Sequence, residues 1–226
     1  MTRQADEVLV ELTNASRRYG KNPQGPKALD RASCVVTAGA AIAVVGRSGS
    51  GKSTLLHLMA GLDDPTDGTV TWPAFGHRPV SVPGALGIIF QGPSLLPPLD
   101  VLENAALPLI LSGTEPASAR IRAEMALASV GLAGFAPRLP EELSGGQAQR
   151  VALARVLTAS PRLILADEPT GQLDAENAAN VMDLLLECAR RIGAALVVST
   201  HDLTVADRLA SRWTVTDGHL NTGGKA

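Results

Sequence analysis

Short apolar runs alternate along the chain with longer segments whose apolar residues recur at helical spacing. Four runs are almost wholly hydrophobic, namely AIAVVG (41–46), LGIIFQ (86–91), LILADE (163–168) and ALVVST (195–200). Such runs are typical of parallel strands that helices cover on both faces. Between and around these runs, the periodicity predicts helices over 51–60, 101–111, 118–130, 145–159 and 175–192. This alternation predicts an α/β fold built on a mostly parallel sheet.

Two other parts of the chain follow different patterns. Residues 7–12 (EVLVEL) and 68–72 (GTVTW) alternate apolar with polar side chains, which predicts an antiparallel side-sheet along the main one. Residues 93–140 are rich in proline and contain helical pieces but no convincing strand, which indicates an inserted helical subdomain. We therefore expect a single domain over 1–226, made of a core with its side-sheet (1–92 and 141–226), the helical subdomain (93–140) and a further helix that starts near 144.

Composition excludes several classes of protein. Charged residues make up 19% of the 226 residues and the formal net charge is −2, so the chain has no basic footprint for nucleic acid. No unbroken apolar run reaches the roughly 18 residues of a membrane span, and the first residues do not resemble a secretion signal. We expect a cytoplasmic protein with no nucleic-acid partner. Cys34 and Cys188 lie in apolar patterns, which favours buried thiols over a disulfide or a metal site.

The segment GRSGSGKST follows one predicted strand and precedes a predicted helix. It fits the phosphate-binding pattern G-x-x-x-x-G-K-[ST], in which glycines let backbone N–H groups surround a phosphate. Lys52 would then reach the β- and γ-phosphate oxygens, and the Ser53 hydroxyl would bind Mg²⁺. The alternative is an ordinary glycine-rich turn with a solvated lysine. We call this segment the phosphate loop; it comprises Gly46, Arg47, Ser48, Gly49, Ser50, Gly51, Lys52, Ser53 and Thr54.

Polar side chains stand at the ends of three other predicted strands, where α/β sheets bind ligands. Asp167 would hold Mg²⁺, and Glu168 would orient and deprotonate the water that attacks the γ-phosphate. Gln91 would reach Mg²⁺ or that water, and His201 would donate a hydrogen bond to the transferring phosphate. Each of these residues alone is also compatible with helix capping or a surface role. Together they predict a metal site of Ser53, Gln91 and Asp167 and a catalytic group of Gln91, Glu168 and His201.

A second candidate anion site lies nearly a hundred residues further on. Ser144, Gly145, Gly146 and Gln147 open a predicted helix, and the free N–H groups of a helix N-terminus attract anions. We call these four residues the signature segment. The local patterns do not explain why one small protein would need two phosphate-binding segments.

Taken in order, GRSGSGKST, FQ (90–91), LSGGQ (143–147), LILADEP (163–169), GQLD (171–174) and STHD (199–202) resemble the ATP-binding subunit of an ABC transporter. The resemblance implies that ATP and Mg²⁺ bind, that ATP is hydrolysed, and that two copies pack head to tail. The signature segment of each copy would then cap the γ-phosphate held by the other. Tyr19 matches the aromatic position that stacks on adenine, and Asp174 matches the loop that links the two sites. The expected second partner is an integral membrane permease, which places the chain at the inner face of the cell membrane.

FQGPSLLPPLDVLENAALPLILSG (90–113) and LADEPTGQLD (165–174) are similar to a narrower group, the ATPases of lipoprotein release, macrolide export and cell division. This similarity implies export or extraction. The leucines of 95–99 would receive the coupling helix of the permease, or would pack inside the helical subdomain. Residues 62–90 are shorter and richer in proline than that group's pattern, which leaves the side-sheet geometry open. Two other functions stay open: a nucleotide-gated regulatory partner with slow turnover, and a soluble ABC-type ATPase.

Overall fold

The computed structural model of the chain describes residues 7–20 and 25–224. The strands are β1 Val8–Arg18, β2 Lys27–Thr37, β3 Ala41–Val45, β4 Asp67–Thr71, β5 Leu86–Ile89, β6 Leu163–Asp167, β7 Ala195–Thr200, β8 Ser211–Thr216 and β9 His219–Gly224. The helices are α1 Lys52–Ala60, α2 Val101–Leu111, α3 Pro116–Ser129, α4 Gly145–Thr158, α5 Ala175–Ile192 and α6 Leu203–Ala206.

The main sheet has six strands in the order β5-β6-β7-β3-β8-β9. Neighbours are parallel from β5 to β8, and β9 pairs antiparallel with β8. The four apolar runs form β3, β5, β6 and β7, so the predicted parallel α/β sheet is confirmed. Their carboxyl ends meet at one edge of the sheet, which is the expected place for a ligand.

The sequences of these strands are continuously apolar because both faces of the sheet are covered. Within β3, Ala43 and Val45 belong to one apolar cluster and Ile42 and Val44 to another. The first cluster lies under α2, α3, α4 and α5, and the second lies under α1 and the side-sheet. Successive side chains of a strand point to opposite faces, so a strand between two cores has no position left for a polar pattern.

The side-sheet is also confirmed. It has three antiparallel strands in the order β2-β1-β4. The proline-rich stretch 62–90 supplies β4 and a short 3₁₀ turn at Pro79–Ser81. The Trp72 indole N–H donates to the Met59 carbonyl at 2.7 Å, which ties the end of β4 to the end of α1.

Within 93–140 the regular elements are α2, α3 and part of a short 3₁₀ turn at Pro140–Glu142. A reciprocal capping box between Asp100 and Glu103 begins α2, as expected where an acidic residue stands at the N-cap and Glu three residues later. The predicted helix bounds hold to within two residues. Both α2 and α3 pack on α4, so the three helices form one layer.

One detail of α5 was predicted incorrectly. The helical spacing predicts an apolar stripe of Val181, Leu184, Leu185, Cys188 and Ile192. The buried residues are instead Val181, Met182, Leu185, Leu186, Cys188 and Ala189, whereas Leu184 and Ile192 are only partly buried. The buried face is rotated because α4 covers one side of α5 in addition to the sheet.

Both cysteines are buried and unpaired in the described part of the chain. Burial raises the pKa of the Cys34 thiol to about 12, so this thiol stays protonated at neutral pH. Across residues 7–20 and 25–224, no helix combines the length and the apolar character needed to cross a bilayer.

Candidate active site

The phosphate loop joins the end of β3 to the start of α1, as its pattern predicts. Two of its glycines lie where a side chain would collide with neighbouring backbone. A Cβ on Gly51 would stand 2.2 Å from the Ala28 carbonyl oxygen, and a Cβ on Gly46 would stand 2.3 Å from the Val215 carbonyl oxygen. Gly51 also has φ 112°, which side-chain-bearing residues rarely adopt. The loop therefore depends on glycine for space as well as for backbone conformation.

Lys52 begins α1, but its side chain turns back beneath the loop and is only 5% exposed. The Nζ donates to the Gly46 carbonyl at 2.9 Å and to the Arg47 carbonyl at 3.2 Å. It also forms an ion pair with Glu168 Oε1 at 3.2 Å. A nearly buried ammonium needs such partners, so Lys52 is fixed at the floor of the loop by two carbonyls and one carboxylate.

Glu168 lies one residue past the end of β6 with φ 45°. For a residue with a side chain this left-handed conformation costs about 1–3 kcal/mol and is concentrated at functional sites. It ends the strand and turns the carboxylate toward Lys52. The second carboxylate oxygen, Oε2, lies 3.0 Å from His201 Nδ1. His201 itself is largely exposed, so the structure brings it to Glu168 at the rim of the site.

Asp167 and Glu168 are held by a residue that the sequence patterns did not single out. Ser199 on β7 is completely buried, and its hydroxyl donates a hydrogen bond to Asp167 Oδ1. The same hydroxyl oxygen accepts from the Glu168 N–H at 3.1 Å. The available signal was a lone serine inside the apolar run ALVVST, whose register partner on β6 is Asp167.

The predicted residues surround a hollow of about 250 Å³, which we call the phosphate hollow. Its lining is Ala28, Ser48, Gly49, Gly51, Lys52, Ser53, Thr54, Gln91, Asp167 and Glu168. A volume below the roughly 300–1,000 Å³ of whole-ligand sites fits the phosphate end of a nucleotide. Nothing in the sequence indicated Ala28, because an alanine carries no chemical signal.

Gln91 also reaches the phosphate hollow, although β5 ends two residues earlier at Ile89. Its Nε2 would lie 3.6 Å from a Cβ on Gly171, and Glu168 Oε2 would lie 3.5 Å from the same Cβ. The two side chains therefore converge on one point above Gly171. Four predicted residues line an adjacent hollow of about 460 Å³ instead, namely Gly46, Arg47, Ser50 and His201.

The residues present suit a magnesium ion held together with phosphate oxygens. Ser53, Gln91 and Asp167 offer a hydroxyl, an amide and a carboxylate at the hollow, and Mg²⁺ prefers such oxygen ligands with one or two carboxylates. Among the described residues, no cluster of three or more His, Cys, Asp or Glu side chains could hold a metal alone. Two carboxylates beside one ammonium would also repel a bare triphosphate, which favours entry with a cation.

The signature segment forms the first turn of α4 and contributes nothing to the phosphate hollow of its own chain. Ser144 is the N-cap. Its hydroxyl accepts from the Gln147 N–H at 3.3 Å, and Gln147 Oε1 accepts from the Ser144 N–H at 2.9 Å. Ser144 and Gly145 are exposed, whereas Gly146 is buried against Asn177, whose Oδ1 would lie 3.0 Å from a Cβ on Gly146. This leaves a capped helix tip that is exposed at Ser144 and Gly145 and does not line the hollow that contains Lys52.

Asp174 lies beside the signature segment, not in the phosphate hollow. It is the N-cap of α5 and accepts from the Asn177 backbone N–H at 2.9 Å and from Asn177 Nδ2 at 2.7 Å. These hydrogen bonds hold the pKa of the Asp174 carboxyl below its ordinary value. Since Asn177 also contacts Gly146, the start of α5 and the start of α4 form one surface.

Tyr19 follows the last residue of β1. It is 51% exposed, its hydroxyl donates to Asp63 at 2.9 Å, and the Arg17 guanidinium lies 4.7 Å from the ring centre. β1 pairs with β2 at Arg18 and Lys27, one residue before Ala28. The Tyr19 ring is therefore at the end of the side-sheet that is near the phosphate hollow, but it does not line that hollow. The Arg17 guanidinium occupies one face of the ring.

Comparison with known proteins identifies the family. A family model described as ABC transporter matches residues 29–171, which is more than half of the 226 residues. The chain belongs to the ABC transporter family. It is an ATPase of the ATP-binding-cassette type, and its cofactors are ATP and Mg²⁺. The resemblance inferred from the ordered motifs is thereby confirmed.

Solved structures of ATP-binding cassettes share the whole fold. A dimeric post-hydrolysis state of the cassette MJ0796 bound to ADP and Pi is 34% identical, with TM-score 0.84, over 96% of this chain and 98% of that chain. A second dimeric structure of MJ0796, described as a bacterial ABC transporter cassette, is 34% identical with TM-score 0.82, over 94% and 97% of the two chains. The cbiO1 protein of Clostridium perfringens, part of the transporter complex cbiONQ, is 25% identical with TM-score 0.84, over 96% and 88%.

Proposed function

We propose that two copies of this cassette clasp ATP between them and that hydrolysis drives a membrane permease of the export or lipoprotein-extraction type. The observation that carries the proposal is the separation of the two phosphate-binding segments. Lys52 and Glu168 line the phosphate hollow, whereas the signature segment of the same chain is not part of its lining. In the proposed dimer, a second copy would supply the donors that the hollow's own lining lacks.

The geometry supports specific roles for the chain's own groups. Lys52 is held by carbonyls of the phosphate loop, so triphosphate oxygens need only replace Glu168 as its third partner. That exchange would free the Glu168 carboxylate to accept a proton from the attacking water. His201 contacts Glu168 Oε2 at 3.0 Å and would keep this carboxylate oriented. Bound Mg²⁺ would neutralise phosphate charge, with Ser53, Gln91 and Asp167 as its protein ligands.

The partner's helix tip would complete the site. N–H groups at a helix N-terminus stabilise negative charge and are fixed before the reaction begins. Similar cassettes have been solved as dimers, which supports dimerisation of this chain. Asn177, which hydrogen-bonds to Asp174, contacts Gly146 of the signature segment. This surface would therefore couple the two sites. Tyr19 would stack on adenine after exchanging its contact with Arg17.

The dimer is tested with the Glu168→Gln variant, which retains nucleotide but turns it over about 10²–10⁴ times more slowly. With ATP and Mg²⁺ it should elute as a dimer and scatter light at twice the monomer mass. The matched control adds Gly145→Asp, which places a carboxylate at the exposed helix tip. An acidic residue in the first turn suits the fold but would repel the γ-phosphate. The double variant should stay monomeric, and a dimer in both would contradict the shared site.

The permease is the second proposed partner, and the cassette would then lie at the cytoplasmic face of the cell membrane. Leu95 packs against the main apolar cluster, whereas Leu96 is 42% exposed in the segment that follows Gln91. We therefore assign docking to Leu96 and a packing role to Leu95. The docking surface would belong to the helical subdomain 93–140. This subdomain also exposes two apolar side chains at the end of α2, Ile110 and Leu111.

Co-purification tests the permease. Leu96→Asp should lose the membrane partner in detergent extracts and keep nucleotide binding, while Leu62→Asp should keep both, because Leu62 is similarly exposed (48%) but lies after α1. Equal recovery of the partner with both variants would contradict docking at Leu96. The export or extraction type predicts a captured partner with few spans and a large extracytoplasmic domain. A partner with many spans and no such domain would refute this assignment.

A further inference from the structure

Ser199 carries a buried hydroxyl close to the reacting groups, and the motif that contains it, STHD (199–202), assigns it no role. It is fully buried on β7, and its strand neighbours Val197 and Val198 are apolar. A hydroxyl in such a place needs hydrogen-bond partners. The parallel register sets Ser199 opposite Asp167, so those partners come from the acidic end of β6.

The hydroxyl makes two different hydrogen bonds to the two acidic residues. Its single hydrogen goes to Asp167 Oδ1, and its oxygen accepts from the Glu168 N–H at 3.1 Å. The Ser199 carbonyl also accepts from that N–H at 3.1 Å. The Glu168 backbone therefore keeps one acceptor if the hydroxyl is lost. In the part of the chain that the structure describes, Asp167 has no other hydrogen-bond donor to its carboxylate.

We propose that Ser199 is a positioning residue that fixes the Asp167 carboxylate for the divalent cation. The terminal torsion of an aspartate is broad, so a free carboxylate would rotate. With Oδ1 held by Ser199, Oδ2 is left as the oxygen for the metal or its water. Outer hydrogen bonds of this kind orient metal ligands, and their loss typically lowers metal affinity by about 10–100-fold. The inference rests on the proposed role of Asp167 as a metal ligand.

The test measures metal binding without turnover. Mn²⁺ is titrated into the full chain with saturating ADP, and free Mn²⁺ is followed by electron paramagnetic resonance. Ser199→Ala should weaken Mn²⁺ by about 10-fold or more, while ADP affinity in EDTA stays within about twofold of the wild type. Ser199→Thr keeps the hydroxyl on a strand that favours β-branched residues and should restore Mn²⁺ binding.

Thr158→Val is the matched control. Thr158 is also buried, and its single hydroxyl hydrogen is shared between the carbonyls of Ala105 on α2 and Arg155 on α4. Removal of the Thr158 hydroxyl should leave the affinities for Mn²⁺ and for ADP unchanged. This result would show that the loss in Ser199→Ala is specific to the Ser199 hydroxyl and does not follow from the loss of any buried hydroxyl.

The proposal is overturned if Ser199→Ala binds Mn²⁺ as the wild type does, or if metal and metal-free ADP binding fall by the same factor. A Ser199→Thr variant as weak as Ser199→Ala would assign the loss to packing and also overturn it. Asp167→Asn distinguishes failure of the positioning role of Ser199 from failure of the metal site at Asp167. If Asp167→Asn loses Mn²⁺ and Ser199→Ala does not, only the positioning role fails. Wild-type Mn²⁺ binding in Asp167→Asn would refute the proposed metal site itself.

Discussion

Replacing Arg155 by lysine should destabilise the fold by an amount that the structure lets us work out. Arg155 lies on α4, and its guanidinium donates to the Ser94 carbonyl at 2.9 Å and to the Pro93 carbonyl at 3.2 Å. Burial lowers the pKa of this guanidinium, which nevertheless stays protonated at neutral pH. The two hydrogen bonds join α4 to the segment that follows Gln91.

A hydrogen bond from a charged donor contributes about 1.5–3 kcal/mol. Lysine offers a point charge instead of a planar fork and would keep only one of the two carbonyls. Because Arg155 is only partly buried, we take the lower end, a loss of about 1.5 kcal/mol. A domain of this size changes its Tm by about 2–4 °C per kcal/mol, so the expected fall is about 3–6 °C.

The assay is thermal unfolding followed by circular dichroism, with nucleotide omitted because ligand binding would itself shift the Tm. Arg120→Lys on α3 is the matched control. Among the residues that the structure describes, Arg120 pairs only with Glu124, at 3.7 Å, and both side chains are more than half exposed. Its replacement should therefore change stability by less than about 0.5 kcal/mol. If the two variants unfold at the same temperature, the contacts of Arg155 do not stabilise this segment and the reasoning is wrong.

Three further predictions follow from single contacts. Gly51→Ala should abolish binding of a fluorescent ATP analogue, because its Cβ would stand 2.2 Å from a backbone oxygen; binding at the wild-type level would refute the steric argument. The pKa of Asp174 is lowered from 3.8 by hydrogen bonds in the first turn of α5, so its stabilising effect is complete above the unfolded pKa and is lost as the pH falls through the lower, folded pKa. Acid titrations of the wild type and Asp174→Asn should therefore converge below pH 3.8, and a constant difference would contradict this. Cys34 and Cys188 are buried, so Ellman's reagent at pH 8 should label them only after unfolding, and rapid labelling of the native chain would count against their burial.

Much of the main sheet was predictable because its physical cause is local. A strand with a core on each face must be apolar at every position, and β3, β5, β6 and β7 show this. The predicted strands ran one or two residues too far at three of the four ends. In each case the last extra residue belongs to the site, as with Glu168, whose φ of 45° ends β6. Polar groups that leave the sheet to meet a ligand cannot continue its hydrogen-bonded ladder.

Partners that come from distant segments were harder to predict. Ala28 lines the phosphate hollow with its backbone, and Ser199 meets Asp167 only through the register of β6 and β7. Neither residue type stands out in a one-dimensional pattern. The face of α5 was misplaced for the same reason, since the contribution of α4 to its burial depends on how the two helices cross.

The sequence by itself determined the α/β pattern, the phosphate loop between a strand and a helix, and the membership of the ABC family. These properties depend on residues within a few positions of one another, where spacing fixes backbone conformation. The tertiary structure alone decided that Lys52 pairs with Glu168, that Ser199 holds Asp167, and that the signature segment lies outside the lining of its own phosphate hollow. Those outcomes depend on strand order and on the packing of α4 against α2 and α3, because only a folded chain brings groups a hundred residues apart within hydrogen-bonding distance.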